Sequence, residues 1–186
     1  MEPNRTIQRM AYSHRRFLSL NLKNMKIRSA NVNDLNSVMA MTQRCIENLD
    51  KQGIYQWDEI YPSKKDFHDD ILDKNLYVLT EVDRIFGCIC INQVEYPGYE
   101  NANWLGPRFY VIHKLLIDPQ NENQGFGKLA MYYAEKVTRS KKKDSIRLDC
   151  FKENLRANQF YQKLGYLIRG ETLFSKGMFN LYEKMI

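Results

Sequence analysis

The sequence predicts an α+β protein, a mixed α/β sheet with helices packed on it, and three observations predict it. Apolar residues recur with a period of two in runs at 25–28, 76–82, 85–94, 108–117, 145–151 and beyond 166, and at helical spacing between those runs. The chain has 186 residues, 44% of them apolar and 27% charged, which suits one sizeable core and excludes collagen-like, disulfide-scaffold and disordered classes. No low-complexity linker and no internal repeat interrupts 25–186, so a single domain over 25–186 follows a basic extension over 1–24.

Each element has its own signal. Met25 opens M-K-I-R, an edge strand. Asn33 and Asp34 cap a helix whose positions Leu35, Val38, Met39, Thr42, Ile46 and Leu49 recur at helical spacing, and Gly53 stops it. Residues 54–62 are aromatic and aperiodic, and Ser63 then starts a second helix that runs to about Asp73. The runs 76–82 and 85–94 flank Asp83-Arg84 and read as a hairpin with a two-residue loop. A strand over 108–117 ends at Asp118-Pro119, and residues 121–127 lead into a helix with Ala130, Ala134 and Val137 on one stripe and Leu129 and Tyr133 beside it. A strand over 145–151, a helix from about Asn154 to Leu164 ended by Gly165, and two closing strands complete the pattern.

Charge and cysteine usage narrow the function classes. The net charge of +6 sits in residues 1–28, which hold seven basic side chains against Glu2, so the body of the chain is neutral, which argues against nucleic acid as a partner. The segment 1–24 lacks the apolar stretch of a secretory signal; it reads as an upstream extension, with an organelle-targeting or interaction arm as the other reading. No run reaches the roughly 18 apolar residues of a membrane helix, so no membrane partner is expected. Cys45, Cys88, Cys90 and Cys150 form no C-x-x-C pair and there are three His, so the cysteines read as core residues of a cytoplasmic protein without a metal.

Two stretches carry chemistry. Gln124-Gly125-Phe126-Gly127-Lys128 lies between a strand and a helix, where glycines permit a sharp turn and free amides at the helix start favour a phosphate. A G-x-G turn alone also serves as a plain connection, and this one matches neither the dinucleotide fingerprint nor the P-loop. Downstream, Asn154, Ala157, Asn158 and Tyr161 share one helix face, with Phe160 and Leu164 on the adjoining apolar face. That polar stripe is either a solvated side or the bed for a ligand arm.

Together, I-D-P-x-x-E-N-Q-G-F-G-K-L at 117–129 and N-L-R-A-N-Q-F-Y-Q-K-L-G-Y at 154–166 resemble the two signature motifs of the GNAT N-acetyltransferase superfamily, in the same order and separation. The resemblance spans roughly 25–186. It implies a splayed mixed sheet of six or seven strands flanked by about four helices, with acetyl-CoA as cosubstrate between the strands ending near Ile117 and Phe151. It also implies pantetheine along Leu115, Leu116 and Ile117, and pyrophosphate on the main-chain amides of Asn123, Gln124, Gly125, Phe126, Gly127 and Lys128. Asn154, Ala157 and Phe160 would border the pantetheine, and Tyr161 would lie near the sulfur. One residue departs from the family pattern: Glu122 stands where Gln or Arg is usual, and a carboxylate cannot donate to phosphate. Gln124 or Lys128 is then the candidate side-chain donor.

The implied reaction sets further requirements. An alkylamine with a pKa of about 10 must lose a proton before it attacks. Tyr161 is the expected general acid for the departing thiolate, and a backbone amide such as that of Leu116 the expected carbonyl polariser. His113 shares strand parity with Leu115 and Ile117 and is the candidate base; the other reading is a hydrogen-bonded core histidine. Glu59, Glu81, Glu95 and Asp149 are carboxylate alternatives. Tyr55, Trp57, Glu59 and Tyr61 would bind the acceptor, with Asp58, Trp104 and Tyr110 also in the aromatic set. The expected function is acetyl transfer to a primary amine of a small or amino-acid-like molecule. The alternatives are a protein or peptide acceptor, a non-catalytic acyl-CoA-binding module and nucleic-acid binding through the basic leader. Dimers are common in the resembled family, so a homodimer is admitted.

Overall fold

The computed structural model describes residues 25–82 and 84–186; the basic segment 1–24 and the expected hairpin residue Asp83 lie outside the described residues. Strands β1 (Met25–Ser29), β2 (Leu76–Glu81), β3 (Arg84–Asn92), β4 (Phe109–Ile117), β5 (Ser145–Phe151), β6 (Leu167–Phe174) and β7 (Gly177–Met185) form a seven-stranded sheet in the order β1-β2-β3-β4-β5-β7-β6. Helices α1 (Leu35–Asp50) and α2 (Lys64–Leu72) pack on one face, and α3 (Phe126–Ser140) and α4 (Leu155–Lys163) on the other. The expected α+β class, with seven strands and four helices, is the one observed.

Local chemistry explains where the elements begin. Asp34 stands at the N-cap position of α1, but its side chain serves the turn before it: Asn31 and Asp34 form a capping box around a short 3-10 turn over Val32–Asp34, and Arg28 grips Asp34 with two bonds of 2.7 and 2.8 Å. Ser63 and Asp66 form the capping box of α2. The buried positions of α1 are Leu35, Val38, Met41, Thr42 and Cys45, so Met39 and Ile46 flank the stripe expected to contain them. In α3 the buried line runs Ala130, Ala134, Thr138 rather than through Val137, and it carries Glu135 inside, where Lys184 meets it at 2.7 Å. Packing against the sheet chose between adjacent ridges that the apolar pattern left equivalent.

The middle of the sheet positions the site. All neighbouring strands are antiparallel except β4 and β5, whose parallel register runs from Phe109↔Ser145 to Ile112↔Leu148 and no further. Both strands continue, to Ile117 and Phe151, so the sheet splays open beyond Ile112. A bulge on β4 accompanies the splay: Cys90 faces His113 and Cys88 faces Leu116, which leaves Lys114 and Leu115 together opposite Ile89. Lys114 has φ of 50°, a left-handed conformation that costs an L-residue about 1–2 kcal/mol.

The bulge corrects one expectation. The extra residue breaks the two-residue alternation, so His113 does not share a face with Leu115 and Ile117. Leu115 and Ile117 pack with Ile112 on the α3 side, whereas His113 stacks on Tyr96 at 4.9 Å.

Candidate active site

One cavity of 830 Å³ follows the splay, from Asn48 and Glu122 at one end, past Leu115, Leu116, Ile117, Ala157 and Tyr161, to an aromatic chamber at the other. Its volume is in the range of small-ligand sites. Because the splay ends the pairing of β4 with β5, the main chain of β4 borders the cavity instead of a neighbouring strand. Lys114 anchors this wall: its ammonium bonds Asp70 of α2 at 2.6 Å, and both residues are buried. Burial works against the charge on Lys114, but the adjacent Asp70 carboxylate outweighs it and holds the lysine pKa above its ordinary value.

At the first end, the segment before α3 turns through Asn123 (φ 59°) and Gly125 (φ 85°). A Cβ on Gly125 would meet nothing within 4 Å, so this glycine serves the backbone conformation and leaves open space above the first turn of α3. Among the described residues no side chain caps that turn, whose amides have no intrahelical partner. The side chains of the expected binding residues go elsewhere. Phe126 is buried against Phe86 at 4.7 Å, Gln124 reaches the Gln120 carbonyl at 3.4 Å, and Lys128 lies over Tyr132 at 5.3 Å. Phe160 packs over Gly127, its ring 3.4 Å from where a Cβ would stand. Glu122 is neutralised by Arg156, at 2.6 Å, and Arg156 also bonds the Asn123 side chain at 3.2 Å. A guanidinium from α4 therefore stands beside the amide loop, a residue that sequence reasoning missed because it lies across the cleft.

In the middle, Tyr161 of α4 faces the cavity within a cluster of Phe160, Tyr166 and Tyr182 rings. Among the described residues its hydroxyl has no hydrogen-bond partner, and burial keeps its pKa well above the ordinary phenol value, so it holds its proton at neutral pH. Asn154 caps α4 through the Ala157 amide at 3.0 Å and reaches Gln56 at 2.9 Å. Asn158, on the same stripe, turns inward. It bonds the carbonyls of Phe151 and Asn154, and accepts from Asn180 and Tyr182, so it ties α4 to the sheet.

The far chamber is walled by Trp57, Tyr61, Tyr96, Phe151, Phe174 and Phe179. Three contacts hold the segment 54–62 across it: Gln56 to Asn154, an ion pair of Asp58 with Lys176 from the β6–β7 turn, and the Tyr61 hydroxyl to that of Tyr96 at 3.2 Å. Of the four acceptor candidates, Trp57 and Tyr61 line the chamber, while Tyr55 and Glu59 are exposed and outside it. Trp104 and Tyr110 are also elsewhere, against Arg147 and Lys143.

The proton-transfer candidates separate clearly. His113 lines the cavity, but its Nε2 is 3.0 Å from the Val94 carbonyl, which only accepts, so Nε2 carries the hydrogen. Burial lowers its pKa to about 4. This hydrogen bond and burial are what the core-histidine reading expects, although the ring also lines the cavity. Glu95 is paired with Arg147, Glu81 ends β2, and Glu59 faces solvent. Asp149 of β5 alone among these carboxylates lines the cavity, accepting from the Tyr99 hydroxyl at 2.9 Å. In the sequence Asp149 shares the polar parity of Ser145 and Arg147, opposite to Ile146, Leu148 and Cys150, so the alternation gave no sign that it borders a cavity.

The acetyltransferase (GNAT) family model matches residues 42–166. A search of curated proteins found no significant match. Among solved structures, the chain is similar to a GNAT-family acetyltransferase from Streptococcus agalactiae, with 25% identity and a TM-score of 0.75 over 87% of this chain and 95% of that one. It resembles the PaiA N-acetyltransferase of Thermoplasma acidophilum in complex with coenzyme A, at 17% identity and a TM-score of 0.67 over 87% and 99% of the two chains. A ribosomal-protein alanine N-acetyltransferase from Escherichia coli aligns at 15% identity and a TM-score of 0.64, over 87% and 94%. Among the described residues no helix is long and apolar enough to cross a membrane.

Proposed function

The chain belongs to the GNAT acetyltransferase family, and on that premise we propose that it is an acetyl-CoA-dependent N-acetyltransferase acting on the primary amine of a small molecule. The observation that carries this reading is the continuity of one cavity from the amide turn, past Tyr161, into a roofed aromatic chamber. Acetyl-CoA supplies the activated acyl group; the residues present fit it, with an open cradle over Gly125, exposed β4 main chain and a guanidinium at the loop.

In this reading the amides of 123–128 and Arg156 hold the phosphates, and Glu122 orients Arg156 instead of opposing the anion. A main-chain amide of Leu115–Ile117 polarises the thioester carbonyl, and Tyr161 donates its proton to the leaving sulfur. The contacts of 54–62 favour a small acceptor over a peptide, because a chain running past the chamber would have to break the Asp58–Lys176 pair.

Calorimetric titration of acetyl-CoA, with desulfo-CoA and ATP as comparisons, tests the cofactor half; thiol release with amine and peptide panels tests the chemistry. The expected result is binding that requires the pantetheine arm and turnover with small amines. Folded protein that neither binds nor releases thiol would overturn the proposal.

A further inference from the structure

We propose that Asp149 is the residue that receives the acceptor's ammonium group and takes its proton, and that the acceptor is a primary amine on an alkyl or aromatic body that carries no carboxylate. This rests on the transferase reading above and narrows it.

Charge accounting along the cavity wall leads to it. Lys114 is matched by Asp70, Asp58 by Lys176 and Glu122 by Arg156, while His113 is neutral. Among the described residues Asp149 has no cationic partner; it accepts a hydrogen bond from Tyr99 and otherwise sees phenols and thiols. Facing it are Tyr99 and Tyr96 from the 96–101 segment, Tyr61 from the roof, Tyr161 from α4 and the neighbouring Cys150. Its charge raises the pKa of Tyr161, so acid and base candidates act on the same small volume. A buried carboxylate without a counter-ion is costly, and a ligand cation among aromatic rings would relieve that cost. Lys114 and Lys176 are both committed, so an amino acid would bring a second carboxylate to a chamber where, among the described residues, no unpaired cation stands to meet it.

Burial pushes the Asp149 carboxyl up to about 6, which suits a group that is ionised at neutral pH yet able to hold a proton. The step balances. The ammonium gives one proton to Asp149, and the freed nitrogen attacks the thioester carbon, so a C–N bond forms as the C–S bond breaks. Tyr161 protonates the thiolate and recovers its proton from the nitrogen, and Asp149 releases its own to water.

The experiment uses the full chain with acetyl-CoA and three matched pairs: 2-phenylethylamine and phenylalanine, isopentylamine and leucine, 1,4-diaminobutane and ornithine. Thiol release is followed from pH 5 to 9, and acetyl-CoA binding is measured on the same samples. The amine of any reacting pair should exceed its amino acid by about 100-fold in kcat/KM, with an acid limb near pH 6, since the ionised carboxylate is the active form. Asp149→Asn keeps an acceptor for Tyr99 and should abolish that limb and lower kcat/KM about 100-fold, with acetyl-CoA affinity unchanged. Amino acids reacting as well as the amines, or an Asp149→Asn profile equal to wild type, would overturn the inference and leave the transferase reading standing. Should Asp149→Asn not fold, the matched pairs decide alone. No release from any of the six overturns the inference, and the binding data then show whether the cofactor reading falls with it.

Discussion

The two ends of the cleft are built by opposite means. At the amide end one contiguous segment, 123–128, presents main-chain groups whose direction is set by two left-handed residues, Asn123 and Gly125. At the acceptor end the walls are side chains from the 54–62 segment, β5, the β6–β7 turn and the loop after β3, brought together only by the sheet. Substitution alters the side-chain walls of the second end directly, whereas the first end presents main-chain groups. Along the same wall, the bulge at Lys114 ties β4 to α2 through a buried ion pair with Asp70.

That division can be broken at this wall first. Lys114→Met would leave Asp70 buried without its cation and should destabilise the protein by about 3–5 kcal/mol, read from denaturant unfolding. Adding Asp70→Leu should restore most of that loss, which separates the ion pair from the bulge. Next, Tyr161→Phe should lower kcat about 100-fold with little change in either KM, because only the proton donor is removed.

Arg156→Ala should weaken acetyl-CoA binding about tenfold, more at low ionic strength than at high, and leave the acceptor KM unchanged. Smallest of all, Asp58→Ala opens one contact of the roof and should raise the acceptor KM roughly threefold without moving that of acetyl-CoA. If Arg156→Ala changed the acceptor KM, or Asp58→Ala the acetyl-CoA KM, the two ends would not be independent.

Legibility followed the same division. The strands, the capped helices and both motifs were readable because caps, periodicity and turn residues act within a few positions of themselves. The shared face of Asn154, Ala157, Asn158 and Tyr161 was readable because a helix presents residues at fixed intervals. The face of His113 was misjudged because one extra residue, Lys114, breaks the alternation on which its orientation was inferred. Tyr55 and Glu59 lie in the same short aromatic and acidic segment as Trp57 and Tyr61, and within that segment it is Asp58, paired with Lys176, that borders the chamber. Arg156 was invisible as a partner of Glu122 because the two meet across the cleft.

What the sequence determined by itself was the family and the order of elements, since both rest on local backbone preferences and contiguous motifs. Only the tertiary structure decided which carboxylate faces the cavity, which charges cancel and how the chamber is roofed. Those depend on pairs such as Asp58 with Lys176 and Lys114 with Asp70, whose members are far apart in the chain and become neighbours only when the sheet assembles.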